Sequence, residues 1–136
     1  MKIKLDNGAK APTRAHEMDA GYDLYARYYT CVPAGGAALF DTGVHMEIPK
    51  GYVGFLKSKS GLNVKAGLLG EGVIDAGYTG SIVVKLYNHD TLDHYFHPGD
   101  KISQIVLLPI FTPDLEVVDE LTETERGENG FGSTGK

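Results

Sequence analysis

No stretch of this chain is long enough and regular enough to make a substantial helix. Its 136 residues include 18 glycines and 6 prolines, and with aspartate beside them these cut the chain into short β-branched and aromatic runs. Glycine and proline punctuate turns, whereas short apolar or alternating runs bounded by such residues fit strands. The pattern calls for an all-β domain, and 42% apolar content suffices for a single core. Strands this short and numerous suit a jelly-roll-like distorted β-barrel with closed or protected edges, an open sandwich being the fallback.

Residues 2–5 read as an edge strand closed by the turn Asp6-Asn-Gly8, and a glycine turn at Asp19-Ala-Gly opens a second strand. Residues 37–41, 44–48 and 52–57 continue the extended pattern between proline- and glycine-bearing turns. The polar stretch 58–62 fits one helical turn with a serine as cap. Residues 73–75 and 81–87 flank Ala76-Gly-Tyr-Thr-Gly80 and read as a β-hairpin. In its second strand Ile82, Val84 and Leu86 share one face, and Val83, Lys85 and Tyr87 the other. Residues 101–108 make a strongly apolar strand and 115–118 a last short one. The expected organisation is a barrel domain over 1–121 followed by a flexible glycine-rich arm over 122–136.

A net charge of −5 argues against nucleic acid as a partner, which requires a cationic footprint, but leaves room for a small anion in a local basic pocket. Cys31 is the single cysteine, so neither an intrachain disulfide nor a thiolate metal site is expected. The sequence shows no long apolar run and no signal peptide, which points away from a membrane and to a cytoplasmic protein. A regulatory protein partner would leave no mark in such a sequence.

Several segments carry chemistry. Lys57-Ser-Lys-Ser-Gly61 offers two cations, two hydroxyls and a glycine, either an exposed polar turn or a phosphate cradle. Asp75 is placed at a strand end beside a tight turn, where it is either a turn-former or a positioned general base. Tyr78 either packs the hairpin or forms a platform for a sugar or base. His89, Asp90, Asp93, His94 and His97 fall close together, but a solvated link between strands explains them better than a metal site. The end of the chain, Arg126-Gly-Glu-Asn-Gly-Phe-Gly-Ser-Thr-Gly-Lys136, cannot bury a core, yet its backbone amides, hydroxyls and guanidinium suit a phosphate chain. Phosphate-loop, dinucleotide and nucleophile-elbow motifs are absent.

In order along the chain, Asp19-Ala-Gly-Tyr-Asp-Leu24, Ser58-Lys-Ser-Gly-Leu62, Gly72-Val-Ile-Asp-Ala-Gly-Tyr-Thr-Gly80, Gly99-Asp-Lys-Ile-Ser-Gln104 and Arg126-Gly-Glu-Asn-Gly-Phe-Gly-Ser-Thr-Gly135 resemble the five motifs of the trimeric deoxyuridine triphosphatases. The resemblance runs from about residue 10 to the C-terminus, and its third and fifth motifs are the most specific. It implies a jelly-roll homotrimer with shared active sites that hydrolyses dUTP to dUMP and pyrophosphate with Mg2+. Asp75 would activate water for attack on the α-phosphorus, and Tyr78 would pack on the deoxyribose and exclude a 2′-hydroxyl. The backbone from Val73 and Ile74 to about Val83 would read uracil. Lys59, Ser60 and Gly61 would hold the phosphates with help from Gln104. Asp23 would support the phosphate and metal region through Lys59 or metal-bound water.

From the tail, Phe131 would stack on uracil beside Gly132, while Arg126, Ser133 and Thr134 would grip the γ-phosphate region, closing over a neighbouring subunit's site. Lys59 and Lys101 stand where the family more often has arginine, and Leu69 where many members place an asparagine that contacts uracil. Lys57 and Asn63 are the candidates to compensate. The rival readings are a non-catalytic nucleotide sensor on the same fold and a dCTP deaminase.

Overall fold

The computed structural model describes residues 1–130; residues 131–136 lie outside it. Strands dominate: β1 (Ile3–Leu5), β2 (Gly21–Tyr25), β3 (Thr30–Val32), β4 (Ala37–Asp41), β5 (Val44–Met46), β6 (Tyr52–Lys57), β7 (Leu68–Leu69), β8 (Gly72–Ile74), β9 (Val83–Asn88), β10 (His94–Phe96) and β11 (Lys101–Pro109). One short helix, α1 (Ser60–Ala66), follows β6. The fold is all-β, as the punctuated sequence requires.

All ladders are antiparallel. The largest sheet runs β2-β11-β6-β8 and a second runs β4-β9-β7, while β1 pairs with β5 and β10 with β3. These four sheets do not close into the expected barrel. Strands β1, β3, β8 and β10 are only 3 residues long, too short to carry a ladder from one sheet into the next. The core lies between the sheets, where Leu24, Leu56, Ile102 and Ile105 meet Phe40, Val84 and Leu86. In β9 burial alternates residue by residue, with Val84 and Leu86 inside and Val83, Lys85 and Tyr87 outside, as the period-two pattern predicts.

The predicted hairpin is corrected by the ladder. β8 pairs with β6, and β9 lies between β4 and β7, so residues 75–82 bridge two sheets instead of joining neighbours in one. Ile82 decides this: its side chain is fully buried, its amide donates to the Val44 carbonyl at 2.9 Å, and its carbonyl accepts from the Thr42 amide at 3.1 Å. Residues 115–118 form no strand among the described residues, with Leu115 and Val117 more than nine-tenths exposed. The helix is longer than the expected single turn and has Lys59 at its N-cap with no side-chain cap. Ser58 does other work, since its hydroxyl accepts from the Gly70 amide at 2.9 Å and donates to the Gly70 carbonyl at 3.3 Å. Within the stretch expected to be a solvated link, β10 places Phe96 edge-on against Phe40 in the core, ring centres 5.4 Å apart.

Candidate active site

Antiparallel register brings Asp23, Gln104 and Lys57 side by side, with Gln104 of β11 opposite Asp23 on one flank and Lys57 on the other. Asp23 is 5% exposed, so a carboxylate there needs partners within the protein. It has two, the ammonium of Lys59 on Oδ1 and that of Lys101 at 2.6 Å from Oδ2. Burial pushes the Asp23 carboxyl up, but hydrogen bonds and charge from Lys101 and Lys59 together outweigh it and hold the group below its ordinary value. The same contact raises the Lys101 ammonium.

The Gln104 side chain donates from Nε2 to the Ser58 carbonyl at 3.2 Å. It lies across Gly21, where a Cβ would stand 2.4 Å from Gln104 Oε1, so any side chain on β2 at this point would push the Gln104 amide aside. Lys59 then leads into α1, where Ser60 and Gly61 are exposed in the first turn. The first intrahelical bond is donated by Asn63, so the amides of Ser60 and Gly61 have no partner within the helix.

The second group of candidate residues follows β8. Asp75 is exposed, and its carbonyl accepts from the Tyr78 amide at 3.1 Å across a tight turn. Gly77 takes φ +92° in that turn, a conformation that favours glycine. The Tyr78 hydroxyl donates to the Ser81 carbonyl at 3.0 Å and leaves the ring half exposed. Val73 and Val83 face outward, whereas Ile74 is buried, so Ile74 offers a ligand only its backbone.

These two groups do not meet within one chain. In the β6–β8 ladder Gly54 lies opposite Ile74 and Leu56 opposite Gly72, so Asp75 continues toward the Tyr52 end of β6. Lys57, Gln104 and Lys59 occupy the other end. From the position opposite Asp75 to Lys57 is four steps along the strand, about 13 Å at strand rise.

Arg126 is exposed, with its Nε donating to the Asn129 carbonyl at 3.0 Å. Phe131, Gly132, Ser133 and Thr134 lie outside the described residues. Of the compensating candidates, Lys57 is paired with Glu71 at 2.8 Å and Asn63 is exposed on α1, while Leu69 sits on β7 opposite Tyr87. Lys101 as a second partner for Asp23 is the contact that sequence reading missed. A register shift between Lys101 and Ser103 sets it, and no local pattern reports such a shift.

The family profile of the dUTPases matches residues 7–135. This chain belongs to the dUTPase family. The deoxyuridine 5'-triphosphate nucleotidohydrolase of Yarrowia lipolytica is 47% identical over 134 residues, covering 96% of this chain and 85% of that protein. Among solved structures, a point mutant of the Staphylococcus bacteriophage 80alpha dUTPase with dUpNHpp superposes with TM-score 0.89 at 33% identity, covering 99% and 98% of the two chains. A mutant dUTPase from phage phi11 of S. aureus, described as showing the coordination of a structural Mg(II) ion, gives TM-score 0.83 at 31% identity and covers 90% and 98%. Membership in the dUTPase family accounts for the ordered appearance of all five motifs in one small β-domain.

Proposed function

We propose that this chain is a dUTP diphosphatase whose active sites are completed between copies of the chain in a jelly-roll homotrimer. The observation that carries the shared site is the register of β6: Asp75 and the Lys59–Gln104 cluster sit toward opposite ends of the same strand. A nucleotide spanning a triphosphate and a base must touch both kinds of group, and in this reading one copy supplies the cluster and another supplies the Asp75 turn. The arm over 122–136, with Arg126 and Phe131, closes over the assembled site.

In this reading the α-phosphorus is attacked by a water whose proton Asp75 removes, and the bond to the β-phosphate oxygen breaks to release pyrophosphate and dUMP. Asp75 suits the task because it is exposed and no hydrogen bond among the described residues occupies its carboxylate. Tyr78 bears on the deoxyribose, and the outward edge of Val73, Ile74 and Val83 reads the base through backbone groups. Lys59, the amides of Ser60 and Gly61, and Gln104 take the phosphates.

Magnesium is best regarded as part of the substrate. Among the described residues no group of three or more His, Cys, Asp or Glu side chains could hold an ion. Asp23, the one buried carboxylate near the phosphate side, has both oxygens on lysine ammonium groups. Such a site suits a hydrated ion that arrives on the triphosphate, with Asp23 acting through metal-bound water.

The test has two stages. Incubation with Mg2+ and, separately, dUTP, dCTP, dTTP or UTP should give dUMP and pyrophosphate from dUTP alone; deamination of dCTP, or no turnover, overturns the reaction. Mixing inactive Asp75→Asn and Gln104→Ala chains under conditions of subunit exchange should then restore activity, and failure to do so with demonstrated exchange overturns the shared site.

A further inference from the structure

Among the described residues, the one side chain from outside 72–82 that hydrogen-bonds to the turn at 75–80 is His45 of β5. Its Nδ1 lies 2.8 Å from the Thr79 carbonyl oxygen, and its Nε2 lies 3.2 Å from Asp6 Oδ1. Both partners are acceptors only. A neutral imidazole has one N–H and one bare lone pair, so either tautomer would leave one contact as two acceptors facing each other. The imidazolium alone donates to both.

We propose that His45, as the imidazolium, is a positioning residue for the reaction: it clamps the Thr79 carbonyl to Asp6 and so holds the Asp75–Tyr78 turn in place for the nucleotide. The inference rests on the role given above to that turn, and His45 itself touches no reacting atom.

Charged groups surround the ring. Asp6 is in contact with the ring, and Thr79 presents a neutral carbonyl. Lys4 is the cross-strand partner of His45 on β1 and opposes the charge. Arg27 opposes it too, but from behind Asp6, with its NH1 3.4 Å from Asp6 Oδ2 and 3.8 Å from Asp41 Oδ2. Lys2 and Glu47, further along the same two strands, are paired with each other at 3.2 Å. The Ser81 hydroxyl and the Gly43 amide hold the Asp41 carboxyl below its ordinary value, so it stays anionic and adds to the field of Asp6. Of these charged groups, the one within hydrogen-bond distance of the ring is the Asp6 carboxylate.

The His45→Gln variant should raise KM for dUTP about three- to tenfold, the worth of one or two hydrogen bonds in holding the competent turn, with kcat within about twofold. Its preference for dUTP over UTP should fall, because Tyr78 rides on the same turn. Two readouts need no turnover: nitrogen NMR of the wild-type ring at about pH 6 should show both ring nitrogens protonated, and amide exchange at residues 77–80 should be faster in His45→Gln.

A neutral ring at that pH, or a folded variant with wild-type KM, sugar preference and exchange, overturns the clamp. Should the wild type fail to hydrolyse dUTP, the reading of the reaction falls, and the ring protonation and exchange results still decide the clamp.

Discussion

At one end of β6 a carboxylate that is 5% exposed is bound by two lysines, and a glutamine beside it is pinned over a glycine. At the other end Asp75 stands in solvent on a tight turn, held mainly by backbone contacts and the reach of one histidine. A buried charge must be satisfied within the chain that buries it, or folding bears the full desolvation cost. An exposed carboxylate carries no such requirement and can be left open for a ligand. On the proposed reading the two ends divide the labour: the phosphate side is preorganised by the same contacts that stabilise the sheet, and the chemical side is kept free of them.

The sharpest break in that comparison is Asp75→Asn. Removing a general base should lower turnover about a hundred- to ten-thousand-fold while dUTP affinity, read by calorimetry, stays close to wild type. The melting temperature should not move, since the side chain is exposed and isosteric. A variant that keeps wild-type turnover removes Asp75 as the base, and one that unfolds shows that the turn is structural after all.

Next in size is truncation before Arg126. The described part of the arm is wholly exposed and contributes nothing to the core, so the truncated chain should fold and assemble as before. On the proposed role of the arm, in which Phe131 stacks on the base and Arg126 meets the phosphates, truncation should lower kcat/KM about ten- to a hundredfold. Full activity in the truncated chain would confine the site to the two ends of β6.

The parts of the fold that depend on local periodicity were legible beforehand. Ala37–Asp41 and Tyr52–Lys57 begin and end where the pattern places them, and the in-out alternation of β9 follows residue by residue. What depends on long-range pairing was not. Val73 and Ile74 look like the first arm of a hairpin, yet they pair with β6, because Ile82 is drawn to the 42–44 segment. β3 and β10, 3 residues each, carry too little pattern to stand out from loops. The candidate site divides the same way. The motifs mark Asp75, Tyr78, Lys59 and Gln104, but Lys101 on Asp23 depends on a bulge and His45 on Thr79 spans 34 residues.

The smallest expected effect tests the rigid end. In the folded chain the Asp23 carboxyl is held below its ordinary value of 3.8 by Lys101 and Lys59 against the opposing push of burial. A carboxylate with a depressed folded value contributes stability that is present above the unfolded value and is lost as pH falls through the folded one. Asp23→Asn should therefore melt a few degrees lower than wild type at neutral pH, where the ionised side chain is engaged. The gap should hold down to 3.8 and close below it, as the wild-type carboxylate takes up its proton. Asp75→Asn, with an exposed side chain, should show no such gap at any pH. If the Asp23 gap instead stays constant to about pH 2, the side chain stabilises the sheet by shape and hydrogen bonding alone. The lysines would then be available to the triphosphate without first being released from a carboxylate.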